Sequence, residues 1–158
     1  MNIDVVVEIP RNTNIKYEWD FENNRLRVDR IINCPFSYPD HYGYVPGTKA
    51  EDGDCLDVVL VSELDLIPGC IIQSKIIGIL FMEDEKGLDH KIIAVPNDSV
   101  DKKSKNINKL SDIDSLHLNK IKYFFNHYKD LEEGKWSKVM SWGDIDEAIN
   151  IKDKSILI

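Results

Sequence analysis

Apolar positions change their periodicity about two thirds of the way along this chain of 158 residues. Before that point they form short runs that are separated by turn signals such as Asn23-Asn24 and Lys86-Gly87. Several short strands at such spacing predict a small barrel or a strongly curved sheet. The predicted strands cover residues 5–9, 15–21, 25–32, 58–61, 70–82 and 91–95.

The second predicted strand has the clearest alternation of apolar and polar residues. It places Tyr17, Trp19 and Phe21 on one face, which we expect to be buried. Lys16 and Glu18 then lie on the opposite face, where charged side chains are usually solvated.

The last third of the chain has helical spacing. Apolar positions recur at i, i+3, i+4 and i+7 over residues 121–128, and Leu131 extends the stripe. Ser111 and Asp114 together form a start signal for this helix, and Gly134 is a stop signal.

A weaker second helix is predicted over residues 143–156. The fold class is therefore α+β, mainly β and dominated by its barrel. No internal repeat, low-complexity tract or linker interrupts the chain, so we predict a single domain over 1–158.

The charge balance limits the classes of partner. Twenty Lys and Arg against 28 Asp and Glu give a net charge of −8, which disfavours binding to nucleic acid or anionic membranes. The N-terminus lacks the pattern of a secretory signal, and no apolar run reaches membrane-spanning length. Three cysteines without C-x-x-C spacing are typical of reduced thiols, so we predict a cytoplasmic protein.

Three carboxylates lie within six residues at Asp52, Asp54 and Asp57. They can converge only if the chain bends, which Gly53 permits, and such oxygen ligands suit Mg²⁺ or Mn²⁺. Alone, the Asp-Gly-Asp tripeptide is more typical of a solvated acidic turn. An EF-hand register fails, because its sixth position is Asp57 and an apolar run follows.

Further charged and aromatic groups recur along the chain. Asp89 and Lys91 lie two residues apart on one strand face, close to a second acidic run at 83–85. Tyrosines crowd the predicted loop over residues 38–46, which is bounded by prolines. Taken singly, each of these groups is typical of an ordinary surface or of packing.

Together these motifs resemble the family I soluble inorganic pyrophosphatases, in their compact prokaryotic form. The acidic loop, Asp52-Gly-Asp-x-Leu-Asp57-Val, agrees with that family's signature at every acidic position. The other matching motifs follow in order along nearly the whole chain: Val-Glu8-Ile-Pro, Ile-Lys16-Tyr-Glu18, Val-Asp-Arg30, Tyr38-Pro-x-x-Tyr42-Gly-Tyr, Asp84-Glu-x-Gly-x-Asp89-x-Lys91, Ala94-Val-Pro96, His-Tyr128-Lys129-Asp-Leu-Glu and Gly134-Lys-Trp136.

The resemblance implies a five-stranded OB-like barrel with two flanking α-helices, and a homohexamer. It also implies Mg²⁺-dependent hydrolysis of pyrophosphate to two phosphates, with several Mg²⁺ ions per site and Mn²⁺ as a possible substitute. Asp54 would be the general base on the attacking water. The metal ligands would be Asp52, Asp57, Asp84, Asp89 and, through a water molecule, Glu18. Phosphate oxygens would be bound by Lys16, Arg30, Tyr42, Lys91, Tyr128 and Lys129, with Glu8 and Tyr38 lining the pocket.

One residue departs from the family's pattern, because Cys55 stands where the family usually has proline. It is either a small substitute, or a change that loosens the loop and exposes it to thiol oxidation.

Two other functions stay open. One is a metal-dependent phosphohydrolase of wider substrate range, which would also accept nucleoside triphosphates. The chain has no P-loop motif to support this alternative. The other is a non-enzymatic OB-type binding module for nucleic acid or Ca²⁺.

Overall fold

The described part of the chain, residues 1–157 of a computed structural model, contains nine strands and two α-helices. Two short 3₁₀ helices, Lys102–Asn106 and Leu110–Asp112, precede the first α-helix. The strands are β1 Asn2–Ile9, β2 Ile15–Asp20, β3 Arg25–Ile31, β4 His41–Val45, β5 Leu56–Leu60, β6 Ile71–Asp84, β7 Gly87–Leu88, β8 Lys91–Pro96 and β9 Ser137–Gly143. The helices are α1 Ser115–His127 and α2 Ile145–Lys154.

Five strands close into a barrel in the order β1-β4-β5-β8-β6, and β6 pairs back onto β1. All pairs of neighbouring barrel strands are antiparallel except the pair of β5 and β8, which is parallel. The 14-residue β6 continues beyond the barrel, where β7 and β9 add to it. The predicted five-stranded OB-like barrel with two helices is confirmed.

Strand β8 is buried along its whole length because both of its faces are covered. Ile92 and Ala94 join a cluster that takes side chains from all five barrel strands. The alternate residues, Ile93 and Val95, join a second cluster beneath α1. A strand covered on both faces reads as a continuous apolar run, which is the pattern this segment shows.

Helix α1 begins where Asp114 caps it, since that carboxylate accepts a hydrogen bond from the backbone N–H of Leu116. Its inner face places Phe124 and Phe125 against the barrel, and burying each ring contributes roughly 2–3 kcal/mol to stability. Helix α2 begins with a reciprocal capping box. Within residues 1–157, no helix has the length and hydrophobicity needed to cross a membrane.

The hairpin of β2 and β3 forms a separate two-stranded sheet, which turns at Asn24 with a φ of 56°. The expectation that Phe21 lies on a buried face is wrong, because its side chain is 68% exposed. Strand β2 ends at Asp20, whose carboxylate is bound by Arg27 across the hairpin. The alternation therefore stops one residue before Phe21.

Three other predictions need correction. The tyrosine-rich segment predicted as a rigid loop contains strand β4, which pairs with both β1 and β5. Helix α1 ends at His127, so Leu131 lies beyond it in a turn and is 71% exposed. Strand β9 was missed, since its exposed and buried positions do not alternate regularly.

Two histidines tie loops to the barrel. Nε2 of His117, in the first turn of α1, lies 2.7 Å from Oδ2 of the buried Asp40. This contact raises the pKa of His117 above its usual value, against the opposing effect of burial. Nδ1 of His41 accepts the backbone N–H of Arg11, and Nε2 lies 2.7 Å from the carbonyl oxygen of Leu64. The segment before Tyr42 is thereby held from two sides.

Candidate active site

A cavity of about 490 Å³ opens at the barrel surface. All fourteen residues that the sequence assigned to a site line it. They come from most of the elements between β1 and the end of α1. The fourteen are Glu8, Lys16, Glu18, Arg30, Tyr38, Tyr42, Asp52, Asp54, Asp57, Asp84, Asp89, Lys91, Tyr128 and Lys129.

Lys91 is the most deeply buried cation of the cavity, with 1% of its side chain exposed. The parallel register of β5 and β8 sets it beside Asp57. Its Nζ donates to Oδ2 of Asp57 at 2.8 Å and to the hydroxyl of Tyr42 at 2.7 Å. Oδ1 of Asp89, just before β8, lies 2.8 Å from the same nitrogen. The ammonium group therefore joins three of the predicted site residues.

Burial alone would lower the pKa of Lys91, but the two carboxylates outweigh it and raise that pKa well above its usual value. Burial raises the pKa of Asp89, although the contact with Lys91 opposes the rise and Asp57 adds to it. Two carboxylates thus share one ammonium, and the group as a whole carries a negative charge.

Lys129 forms a second, similar centre directly after α1. Its Nζ donates to Oδ2 of Asp84 at 3.0 Å and to the carboxylate of Glu85 at 3.3 Å. Burial would raise the pKa of Asp84, but the hydrogen bonds from Lys129 and from the backbone of Lys86 lower it. Asp84 is therefore held in its charged form at the end of β6.

The acidic loop between β4 and β5 is fixed at both ends. The hydroxyl of Thr48 donates to the carbonyl oxygen of Val45 and accepts the N–H of Leu56, so it ties one strand to the next. Gly53 adopts a φ of 90°, which a residue with a side chain rarely does. The predicted bend is confirmed, and it turns Asp52 so that its Oδ1 accepts the N–H of Asp54.

Several cavity carboxylates are costly to ionise. Burial raises the pKa of Glu8 to about 7, even though Oε2 accepts the backbone N–H of Trp19 at 2.7 Å. Burial also raises the pKa of Asp52, with smaller contributions from Asp89 and Asp54. Burial thus makes these carboxylates costly to ionise, and a bound cation would favour their charged forms.

Three tyrosines of the cavity stay neutral. Burial raises the pKa of Tyr38, Tyr42 and Tyr128 well above the usual value for a phenol. All three pack against the aromatic side chains of α1, with the ring centroids of Tyr38 and Phe124 4.6 Å apart. The hydroxyl of Tyr42 accepts a hydrogen bond from Lys91, so its own proton is available to another acceptor.

The β2–β3 hairpin adds two cations to the cavity, and each has a carboxylate partner. Lys16 lies 3.2 Å from Asp29, and Nη1 of Arg30 lies 2.7 Å from Oε2 of Glu132. Glu18, on the same hairpin, is exposed at the cavity. The hairpin therefore carries charge of both signs to the cavity wall.

The residues fit a hard divalent cation by their chemistry. The acidic side chains offer carboxylate oxygens, which are the ligands that Mg²⁺ and Mn²⁺ prefer. Three of these carboxylates, those of Glu8, Asp52 and Asp89, carry raised pKa values. Within residues 1–157, no three acidic, histidine or cysteine side chains stand close enough to coordinate one ion. Lysine nitrogens occupy the positions between the carboxylates.

Several cavity residues were not assigned from the sequence. Glu85 accepts hydrogen bonds from Lys129 and from the backbone N–H of Trp136. Lys86 and Lys135 also line the cavity. The sequence contained signals for two of these residues, because Glu85 belongs to the acidic run at 83–85 and Lys135 to the Gly134-Lys-Trp136 motif.

Cys55 lies in the acidic loop and is half-buried. Burial raises the pKa of its thiol, and the nearby carboxylates of Glu8 and Asp54 raise it further. A raised pKa lowers the thiolate fraction, and the thiolate is the form that oxidants attack. This environment favours the interpretation of Cys55 as a small substitute for proline.

Comparison with known proteins identifies the family. A family model described as Inorganic pyrophosphatase matches residues 5–157. A relative from Sulfolobus acidocaldarius named Inorganic pyrophosphatase is 47% identical over 148 residues, covering 94% of this chain and 86% of its own length. One from Rickettsia prowazekii with the same name is 48% identical over 143 residues, covering 90% of this chain and 83% of its own.

A solved structure agrees with these sequence relatives. An inorganic pyrophosphatase from Coxiella burnetii superposes with a TM-score of 0.96 at 42% identity, over 98% of this chain and 93% of the other. The motifs and the barrel agree with that likeness, and the resemblance inferred from the motifs is confirmed. The chain belongs to the inorganic pyrophosphatase family.

Proposed function

We propose that the protein hydrolyses pyrophosphate to two phosphates with Mg²⁺ as its cofactor. The observation that carries the proposal is the cavity, in which acidic and cationic side chains line one opening. Membership of the family implies a divalent metal, and the oxygen donors of the cavity favour Mg²⁺, with Mn²⁺ as a possible substitute.

The metal ligands that we propose are acidic side chains that line the cavity: Asp52, Asp57, Asp84, Asp89 and, through water, Glu18. Mg²⁺ held there would neutralise phosphate charge and make water a better nucleophile at neutral pH. Lys91 pairs with Asp57 and Asp89, and Lys129 pairs with Asp84, so the two lysines offset part of the charge of these three carboxylates.

Asp54 is the base that we propose for the attacking water. Its carboxylate is exposed in the cavity, and the bend at Gly53 holds its backbone N–H against Asp52. A carboxylate that is solvent-accessible and not bound to a lysine is free to accept a proton. General bases of this kind contribute about 10²–10⁴ in rate.

The cationic side chains would bind the phosphate groups. Arg30 carries a planar fork of donors suited to two phosphate oxygens, while Lys16, Lys91 and Lys129 act as point charges. The neutral phenols of Tyr42 and Tyr128 can donate hydrogen bonds without adding negative charge, while Glu8 and Tyr38 complete the lining. Catalysis would then depend mainly on positioning and charge neutralisation.

We further propose one domain, a cytoplasmic location and a homo-oligomer, of which a hexamer is the expected form. The family model spans residues 5–157, which supports one domain. The three cysteines are unpaired, which supports a reducing compartment.

Large apolar side chains such as those of Tyr123 and Leu131 are more than half exposed, which supports association with further copies. Light scattering of the purified protein would give the number of subunits.

The deciding experiment measures phosphate release from pyrophosphate by the purified protein, with Mg²⁺ and with a chelator. We expect release only with Mg²⁺. The absence of Mg²⁺-dependent release would refute the proposed function, and equal turnover of ATP would favour the broader phosphohydrolase. Binding of single-stranded nucleic acid without hydrolysis would favour the non-enzymatic module.

A further inference from the structure

Glu132 is a buried acidic residue for which the proposed chemistry has no role. It lies in the turn that follows α1, three residues after Lys129, and 8% of its side chain is exposed. One of its oxygens, Oε2, lies 2.7 Å from Nη1 of Arg30 and 3.5 Å from Nζ of Lys135. Both of these cations line the cavity, whereas Glu132 itself does not.

Hydrogen bonds within residues 1–157 do not offset the free-energy cost of burying this carboxylate. Among the residues that the structure describes, neither oxygen of Glu132 has an aligned hydrogen-bond donor, so its contacts with Arg30 and Lys135 are ion pairs alone. A buried polar group without hydrogen bonds costs stability, and such a group requires an explanation.

The turn that contains Glu132 has backbone hydrogen bonds that do not involve this side chain. Its backbone forms its own hydrogen bonds, from the N–H of Glu132 to the carbonyl of Lys129 at 3.0 Å and from Lys135 to Glu132 at 3.2 Å. Gly134 supplies the left-handed residue that the turn needs, with a φ of 73°. A structural explanation for the buried charge is therefore missing.

Arg30 also has a competing partner. Asp29 lies 4.0 Å from its Nε, and the same carboxylate lies 3.2 Å from Lys16. The shorter contact to Glu132 holds the guanidinium by one nitrogen and leaves Nη2 without a carboxylate partner within residues 1–157.

We propose that Glu132 is a positioning residue, which holds Arg30 and Lys135 over the cavity so that both bind the phosphate groups of the substrate. This inference rests on the proposed function for the identity of the substrate. Without Glu132, the long side chain of Arg30 would regain its rotamers and turn toward Asp29. The affinity for a diphosphate would then fall, while the steps at Asp54 would change little.

The test compares Glu132→Gln with Glu133→Gln, because Glu133 is exposed in the same turn. Calorimetry with methylenediphosphonate and Mg²⁺ gives the affinity for a diphosphate that cannot be hydrolysed. We expect Glu132→Gln to weaken binding and raise KM by about tenfold, with kcat within about threefold, and Glu133→Gln to change each by less than about twofold. An unchanged affinity in Glu132→Gln would overturn the proposal.

A variant cycle separates positioning from damage to the turn. In a chain that carries Arg30→Gln and Lys135→Gln, adding Glu132→Gln should change the affinity by less than about twofold. A further loss as large as in the wild-type background would overturn the proposal, because Glu132 would then act through the turn.

Folding failure of Glu132→Gln would not end the test. Glu132→Asp keeps the charge but withdraws the carboxylate by one methylene, and we expect a smaller loss of affinity in the same direction; full wild-type affinity would again overturn the proposal. Hydrolysis by the wild-type protein is assayed in parallel. Its absence would refute the proposed function, while the analogue titration would still report on the positioning of Arg30 and Lys135.

Discussion

Replacing Lys91 by methionine should destabilise the fold strongly, and Mg²⁺ should reduce the loss. The substitution keeps the volume of the side chain but removes the charge that two carboxylates share. At the 2.8 Å separations of Lys91 from Asp57 and Asp89, each ion pair corresponds to about 6 kcal/mol of Coulomb energy at an effective dielectric constant of about 20.

The cost of burying the ammonium group offsets much of that energy, and breaking a buried ion pair from one side typically costs about 3–5 kcal/mol. A domain of this size should then lose roughly 6–20 °C in Tm. In Mg²⁺ the cation compensates Asp57 and Asp89, so the difference from wild type should shrink by at least about 1 kcal/mol.

The assay is urea unfolding of both proteins, followed by circular dichroism, in a chelator and in Mg²⁺. Lys16→Met serves as the control, because it removes a cavity lysine whose ion pair with Asp29 is partly exposed and should contribute under about 1 kcal/mol. A loss below about 1 kcal/mol in Lys91→Met, or an equal loss with and without Mg²⁺, would refute this reasoning.

Four further outcomes can be measured. Asp54→Asn should lower kcat by about 10²–10⁴ while Mg²⁺ still raises the Tm; an active variant would remove Asp54 from the role of base. The raised pKa of His117 contributes stability that is complete below pH 6.5 and is lost as pH rises through that pKa, so His117→Gln should destabilise more at pH 5.5 than at pH 8.5 in urea unfolding. Because burial raises the pKa of Cys55, Cys55→Pro and wild type should lose activity to hydrogen peroxide at similar rates, and clear protection would restore the redox interpretation. A Cβ on Gly43 would overlap the carbonyl oxygen of Val6, so Gly43→Ala should shift the Tm down by several degrees, and an unchanged Tm would show that β1 moves aside.

The barrel strands could be predicted wherever apolar residues made a continuous run. Strand β8 was found because both of its faces are buried, and the turn at Asn24 agreed with local sequence preference. Strand β4 was not found, since its tyrosines and flanking prolines are equally typical of a rigid loop. Pairing with two neighbours, which local sequence does not encode, decides its conformation.

The candidate site was predicted through motifs and not through periodicity. Each charged residue alone was typical of an ordinary surface, and only their order along the chain brought them together. Contacts between segments that are distant in the sequence could not be predicted. The parallel register that sets Lys91 beside Asp57, and the turn that sets Glu132 beside Arg30, depend on packing between distant segments.

Closure of the barrel has a consequence for how the protein folds. The pairing of β1 with β6 joins Asn2 to Lys75, so it must overcome the entropy of a loop of some seventy residues. Contacts so distant in sequence make folding slow, because the chain loses entropy before they form. Glu8, near the end of β1, and Asp84, at the end of β6, reach the same cavity only after that closure. Recovery of hydrolysis during refolding would therefore record the closing of the barrel, and a chain synthesised only through β5 would carry the acidic loop without Lys91, the partner of Asp57.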